Sequence, residues 1–168
     1  DGPPAMALGV DPARRRIMAD PPRRPGAEIL TWRRLAKLAL FGLMMTVGTL
    51  AVFSYALESG SKQHALTMAF TTFVLFQFFN IFNARAETGS TFNRNFFRNR
   101  MLWLALFGVL TLQGVAVHWP PAQALFRTTA LSLSDWVVVS LVASSTLVLE
   151  ELNKWITRLR RVSRDPSA

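Results

Sequence analysis

The chain has 168 residues, 51% of them hydrophobic, with 13 Phe, no Cys and a net charge of +9 from 19 Lys and Arg against 10 Asp and Glu. Without Cys there is no disulfide framework and no thiolate metal site. A nucleic-acid binder of this charge places its cations on the same elements as its stacking aromatics, whereas here residues 38–57, 65–84, 101–126 and 128–153 hold no Lys or Arg at all.

That segregation is a membrane pattern, and the expected fold is an all-α membrane protein with four transmembrane helices. Residues 1–34, with Arg14–Arg16 and the run DPPRRP, read as a linker. They are no signal peptide, because no apolar core follows them directly. A helix crosses the hydrocarbon in about 20 residues. The first span is expected at 35–57, with Lys37 near one end and Glu58 just beyond the other, and the second at 65–82. The third is expected at 101–118, closed by Trp119-Pro120-Pro121, whose prolines cannot continue a helix. The fourth is expected at 134–156. Its clean apolar stretch, 136–149, is short enough to suit a buried soluble helix, but its flanks match those of the other three. Residues 158–168 form a basic tail. The transmembrane domain is thus bounded at 35–157.

Basic residues decide the orientation. Eight stand before or at the entry of the first span: Arg14, Arg15, Arg16, Arg23, Arg24, Arg33, Arg34 and Lys37. Four lie between the second and third spans and five after the fourth, while the two remaining loops hold only Lys62 and Arg127. Seventeen against two places both termini and the middle loop in the cytoplasm. Trp32, Trp103, Trp119, Trp136 and Trp155 all fall near expected span ends, where indoles anchor at the headgroup level. Short loops and an Arg- and Ala-rich composition point to a bacterial plasma membrane.

The stretch TTFVLFQFFNIFNARAE sets three amides, Gln77, Asn80 and Asn83, at three-residue intervals in an apolar run. On a helix they share roughly one side, and in lipid each needs a partner or a reason. Interhelical hydrogen bonding is one reading, favoured for Asn80 and Asn83. Glu150 and Glu151 lie near the inner end of the fourth span; Glu150 has Lys154 at i+4, the favourable order for a helical ion pair, and a local salt bridge is favoured over a proton or cation site. Asp135 reads as a capping or first-turn residue. His64 and His118, at span ends and without a second imidazole at ligand spacing, read as structural or interfacial.

Outside the spans there is no GxxxxGK[ST], HExxH or GxSxG, and the loop 83–100 is too short for a catalytic domain. Activity therefore lies within the spans or in a larger protein. The opening DGPPAMALGV, on Asp1 rather than Met, reads as the middle of something longer.

DGPPAMALGVDPARRRIMADPPRRPGAEIL resembles the segment after the sixth transmembrane helix of type II P-type cation-transporting ATPases, the calcium-pump group, where TDG-P-A-x-ALG is followed by IM-x-x-PPR-x-P. Thr67–Glu87 is similar to that family's eighth helix, and NFFRNRMLWLA and LSLSDWVVVSLVASSTLVLEELNKW resemble its ninth and tenth. The resemblance implies that the four spans are helices seven to ten, that residues 1–34 begin with the end of a preceding helix, and that the chain braces ion-binding helices in a pump. ATP, magnesium and a transported cation, calcium by this likeness, belong to the intact pump, and this chain carries no cofactor, no phosphorylated DKTGT loop and no TGES loop, so alone it is expected not to be an enzyme. Implied partners are the lipid bilayer, the upstream helices and cytoplasmic domains of the same pump, and calcium or another cation, with no nucleic acid. Asp1 matches the acidic residue of TDG, a cation ligand in the intact pump. Gln77 falls where two-site calcium pumps have a Glu, and losing that charge implies a pump moving one calcium per cycle. The alternatives are a free-standing four-helix membrane partner, initiated at Met6 or Met18, or a small transporter built on Gln77, Gln113 and the glutamates; two halves without an evident repeat count against the transporter.

The charge asymmetry makes a direct prediction. A topology reporter inserted beside Lys62 or Arg127 should be active only outside the cytoplasm, and one inserted at Arg94 only inside. A reporter at Lys62 that reads cytoplasmic would overturn the orientation.

Overall fold

The computed structural model describes residues 31–86 and 100–162, together with Gly2, Met6 and Gly9. Among the described residues five helices have defined bounds, in order α1 Trp32–Ser59, α2 Lys62–Ala86, α3 Arg100–His118, α4 Pro120–Phe126 and α5 Leu133–Val162. Four of them contain stretches long and apolar enough to cross a membrane: Arg34–Glu58, Lys62–Asn83, Arg100–His118 and Leu133–Leu152. The all-α membrane fold expected from the sequence is the one observed.

Local chemistry sets the helix ends. Only Gly60 and Ser61 separate α1 from α2. The Ser61 hydroxyl accepts the His64 N–H at 3.2 Å and caps α2. A Cβ on Gly60 would stand 3.2 Å from His64 Cδ2 and 3.3 Å from the Ala56 carbonyl, so the turn closes tightly around a residue with no side chain. At α5, Asp135 Oδ2 accepts the Ser132 N–H at 2.8 Å while the Ser132 hydroxyl accepts the Asp135 N–H at 3.2 Å, a reciprocal capping box. Asp135 thus has the first-turn role expected of it.

The prolines after Trp119 act twice. They end α3, as expected, and they also begin α4, which the sequence reading missed. Proline's fixed φ and missing N–H suit the first turn of a helix. α4 ends at Arg127 in the left-handed region, φ 53° and ψ 42°, a conformation uncommon for a side chain of this size. Two hydrogen bonds of the next residue hold the corner: the Thr128 N–H donates to the Gln123 carbonyl at 3.2 Å, and the Thr128 hydroxyl donates to the Ala116 carbonyl.

α2 is the centre of the bundle. Its most extensive contacts are with α5 and α1, and it also meets α3. Of its most apolar window 44% is buried, against 11% for α1, whose outer face carries exposed Leu38, Leu43, Val47 and Leu50. Because lipid tails are as apolar as leucine, helices in a membrane associate by close packing rather than by escape from solvent. Small residues make that packing available here: Ala56, Ala65 and Ala143 are fully buried in one cluster with Met68, Phe76 and Val139. Gly48 is the tightest point, where an added Cβ would lie 2.7 Å from Phe76 Cζ and 3.3 Å from Val142 Cγ1. A second cluster, Phe82, Leu102 and Leu106, joins α2 to α3 near their basic ends. Within it Phe78 and Phe82 meet edge to face at 5.3 Å, and Phe82 leans on Trp103 at 6.1 Å.

One ion pair crosses the bundle at that same end. Lys37 Nζ of α1 donates to Glu150 Oε1 of α5 at 3.0 Å and lies 5.8 Å above the Phe41 ring. The spacing pointed Glu150 to Lys154, whose side chain lies outside the described residues; the partner that the structure shows is Lys37. The i+4 rule describes an isolated helix surface, but Glu150 is turned into the bundle, only 3% exposed, and meets the cation that α1 brings to it. Its Oε2 has no hydrogen-bond partner among the described residues.

Two predictions follow from this packing. Gly48→Leu should lower the thermal unfolding midpoint of the detergent-solubilised protein, with overpacking costing about 1–3 kcal/mol; an unchanged midpoint would mean that α1 does not seat on Phe76. In the ion pair, Lys37→Met should cost about 3 kcal/mol because it strands a buried carboxylate. Glu150→Gln should cost less, since the Lys37 side chain is 27% exposed and can turn to the headgroups. The double variant K37M/E150M should recover most of the loss, and equal damage from both single variants would contradict the asymmetry.

Candidate functional site

The polar residues of α2 divide by face. Toward its Lys62 end, threonines build a seam to α3 and to the segment before α5. The hydroxyls of Thr67, Thr71 and Thr72 each donate to the carbonyl four residues back, at 2.8–2.9 Å, so none is left unpaired in an apolar setting. Thr71 Oγ1 then accepts from Gln113 Nε2 at 2.9 Å, and Thr67 Oγ1 accepts the Thr129 N–H at 3.0 Å. Gln113 and the three threonines are buried. Each such bond is worth about 0.6–2 kcal/mol in a membrane bundle, which makes the seam an adhesive between α2 and its neighbours.

The three amides at the other end of α2 do not behave alike. At 100° per residue each three-residue step falls about 60° short of a full turn, so Gln77 and Asn83 stand about 120° apart around the helix. Asn83 is turned to α5, is 5% exposed, and donates from Nδ2 to the Thr146 carbonyl at 3.1 Å. This is the interhelical role expected for it. Gln77 and Asn80 are half-buried, and neither makes a hydrogen bond among the described residues. Gln77 shares its side of α2 with Leu66, Phe70 and Phe73, which are 50%, 43% and 49% exposed. The expected pairing of Asn80 across the bundle is therefore not seen, and three-residue spacing alone could not have separated it from Asn83.

An amide oxygen is a neutral, hard donor of the kind calcium accepts, and two of them lie one helical turn apart on the uncovered side of α2. Asp1, the other candidate ligand, lies outside the described residues. Gln77, Gln113 and the glutamates do not form one cluster: Gln113 is joined to Thr71, and Glu150 to Lys37. Among the described residues no group of three or more His, Cys, Asp or Glu is placed to hold a metal. The two histidines sit at the loop end of the bundle. His118 stacks on Trp136 at 6.4 Å and its Nε2 accepts from the indole N–H at 3.3 Å, while His64 Nε2 lies 3.6 Å from Asp135 Oδ2. Both have the structural roles expected of them. Of the tryptophans, Trp32 and Trp119 are exposed at helix ends and Trp155 is exposed three residues past the apolar stretch of α5, where an interfacial anchor belongs, whereas Trp103 and Trp136 pack against the bundle.

Comparison with known proteins extends these observations along the chain. Calcium-transporting ATPase 1 of Schizosaccharomyces pombe is 35% identical over 168 residues, covering 99% of this chain and 19% of the relative. Calcium-transporting ATPase type 2C member 2 of Mus musculus is 36% identical over 174 residues, 100% of this chain and 18% of the relative. Calcium-transporting ATPase type 2C member 1 of Homo sapiens is 34% identical over 161 residues, 95% and 18% respectively. The chain thus spans about one fifth of the length of the relatives it matches. These relatives are from yeast and mammals, and they lend no support to a bacterial membrane. The family described as "Cation transporting ATPase, C-terminus" matches residues 1–156, which takes in every one of the four apolar helices. With its four apolar helices all inside that match, the chain belongs to the family of cation-transporting ATPase C-terminal regions.

Proposed function

We propose that this chain is the membrane frame of an ATP-driven calcium pump, bracing the helices that bind the ion. The observation that carries the reading is the match of the whole chain, at 34–37% identity, to proteins named as calcium-transporting ATPases. In such a pump ATP and magnesium act in cytoplasmic domains outside this chain, and the chain by itself hydrolyses nothing. Its partners are the lipid bilayer, the helices that precede it and the cation.

Two of its residues face the cargo in this reading. Asp1 contributes carboxylate oxygen, and a carboxylate is the strongest oxygen ligand a protein can offer a calcium ion. Gln77 offers an amide where a second-site carboxylate would carry a charge, so one calcium moves per cycle. The orientation that puts both termini in the cytoplasm suits this role, because it leaves the linker 10–30 on the side where ATP is used. A bacterial plasma membrane rests on loop length and composition alone.

The test uses membrane vesicles from cells expressing the full reading frame that contains this chain. ATP-dependent calcium uptake is expected. Asp1→Asn should weaken the calcium dependence of uptake by about tenfold or more, as expected when a ligand charge is removed, while leaving the amount of protein in the membrane unchanged. Vesicles that take up no calcium with ATP would sink the reading.

A further inference from the structure

We propose that Asn80 acts with Gln77 on the transported cation, as a second neutral oxygen on the cation's path, and that Asn83 does not. The proposal rests on the calcium-pump reading and adds to it a residue and a division of labour among three amides.

The geometry separates them. Asn83 has its partner inside the bundle, the Thr146 carbonyl at 3.1 Å. Asn80 and Gln77 have none among the described residues, and the side chains next to them in sequence are Phe76, Phe78, Phe79 and Ile81, which offer no hydrogen bond. An unpaired amide in hydrocarbon costs several kcal/mol, so a helix does not keep two of them on one side without something for them to meet. That side is also the one left uncovered, with Phe70 and Phe73 43% and 49% exposed beside them. What these amides meet lies beyond the described residues, and since the chain supplies about one fifth of the length of its relatives, the larger assembly and the cargo it moves are the sources to weigh.

Cation chemistry favours the cargo. Residues three apart on a helix have Cβ atoms about 5–6 Å apart, within the span of two oxygens sharing one ion at about 2.3–2.6 Å each. Their side-chain lengths differ by one methylene, which lets the two carbonyl oxygens reach the same point from successive turns. Being neutral, the pair replaces water around a divalent ion without adding charge. It therefore suits a place where the ion must be held briefly and passed on, rather than trapped.

The experiment compares Asn80→Leu, Gln77→Ala and Asn83→Leu in the full-length protein. It reads the calcium concentration giving half-maximal ATP hydrolysis, and the thermal unfolding midpoint of the solubilised protein. N80L and Q77A should each raise the half-maximal calcium concentration about threefold to tenfold, the size of effect by which single residues modulate coupling between sites, with the midpoint unmoved. N83L should lower the midpoint and leave calcium dependence where it was. N80A, which adds no branched bulk, repeats the measurement if N80L reaches the membrane in too small an amount. If N80L or N80A instead lowers the midpoint with calcium dependence unchanged, Asn80 is a helix-to-helix contact and the proposal is wrong. A wild-type protein whose ATP hydrolysis ignores calcium would sink the pump reading itself, which is a different failure from a calcium response that the Asn80 variants leave intact.

Discussion

Everything in this bundle depends on one constraint. A helix in hydrocarbon gains nothing by exchanging lipid for another helix unless the two fit closely or share a hydrogen bond. α2 satisfies both conditions and so becomes the centre. It presents Ala65, Met68, Thr72 and Phe76 to neighbours whose own contact residues are as small as Gly48, Ala56 and Ala143. It also carries hydroxyls that first satisfy themselves on their own backbone and then accept from elsewhere. α3, with Leu104, Phe107 and Leu112 left outward, takes part chiefly through Gln113 and the aromatic cluster at Phe82.

The same constraint explains which polar groups are informative. Where lipid surrounds the protein, a polar group without a partner marks something that the bundle does not contain. Thr71, Asn83 and Gln113 are accounted for by bonds within the chain. Gln77 and Asn80 are not, and they stand on the side of α2 that the other described helices leave open. The site proposed for the cargo is therefore defined by exclusion inside the bundle and by chemistry outside it.

Much of the architecture could be read from the order of residues. Lys and Arg cannot rest at the centre of a bilayer, so long stretches free of them mark the spans, and the capping role of Asp135 follows from its place at a helix start. The features that escaped were those requiring knowledge of neighbours. Lys154 is the nearer basic residue to Glu150 along the chain, but the partner is Lys37, 113 positions away, because only packing decides which helix Glu150 faces. Pro120 and Pro121 read as a stop because proline cannot continue a helix, yet the same ring geometry starts α4. The three amides looked alike because their spacing fixes their order around α2 and not which neighbour occupies each direction. Family likeness, by contrast, was carried most specifically by the DG-P-x-A-x-ALG and IM-x-x-PPR segments that precede the four spans, with the sequences of α2, α3 and α5 following in the family's order.

The turn between α1 and α2 also makes these two helices one unit. With Gly60 and Ser61 as the whole connection, they stand as a hairpin, and Glu58, Lys62 and Gln63 gather at its polar tip. Gly48 and Phe76 meet inside that hairpin, so the central contact of the bundle needs no other helix to form and offers the remaining ones a ready seat.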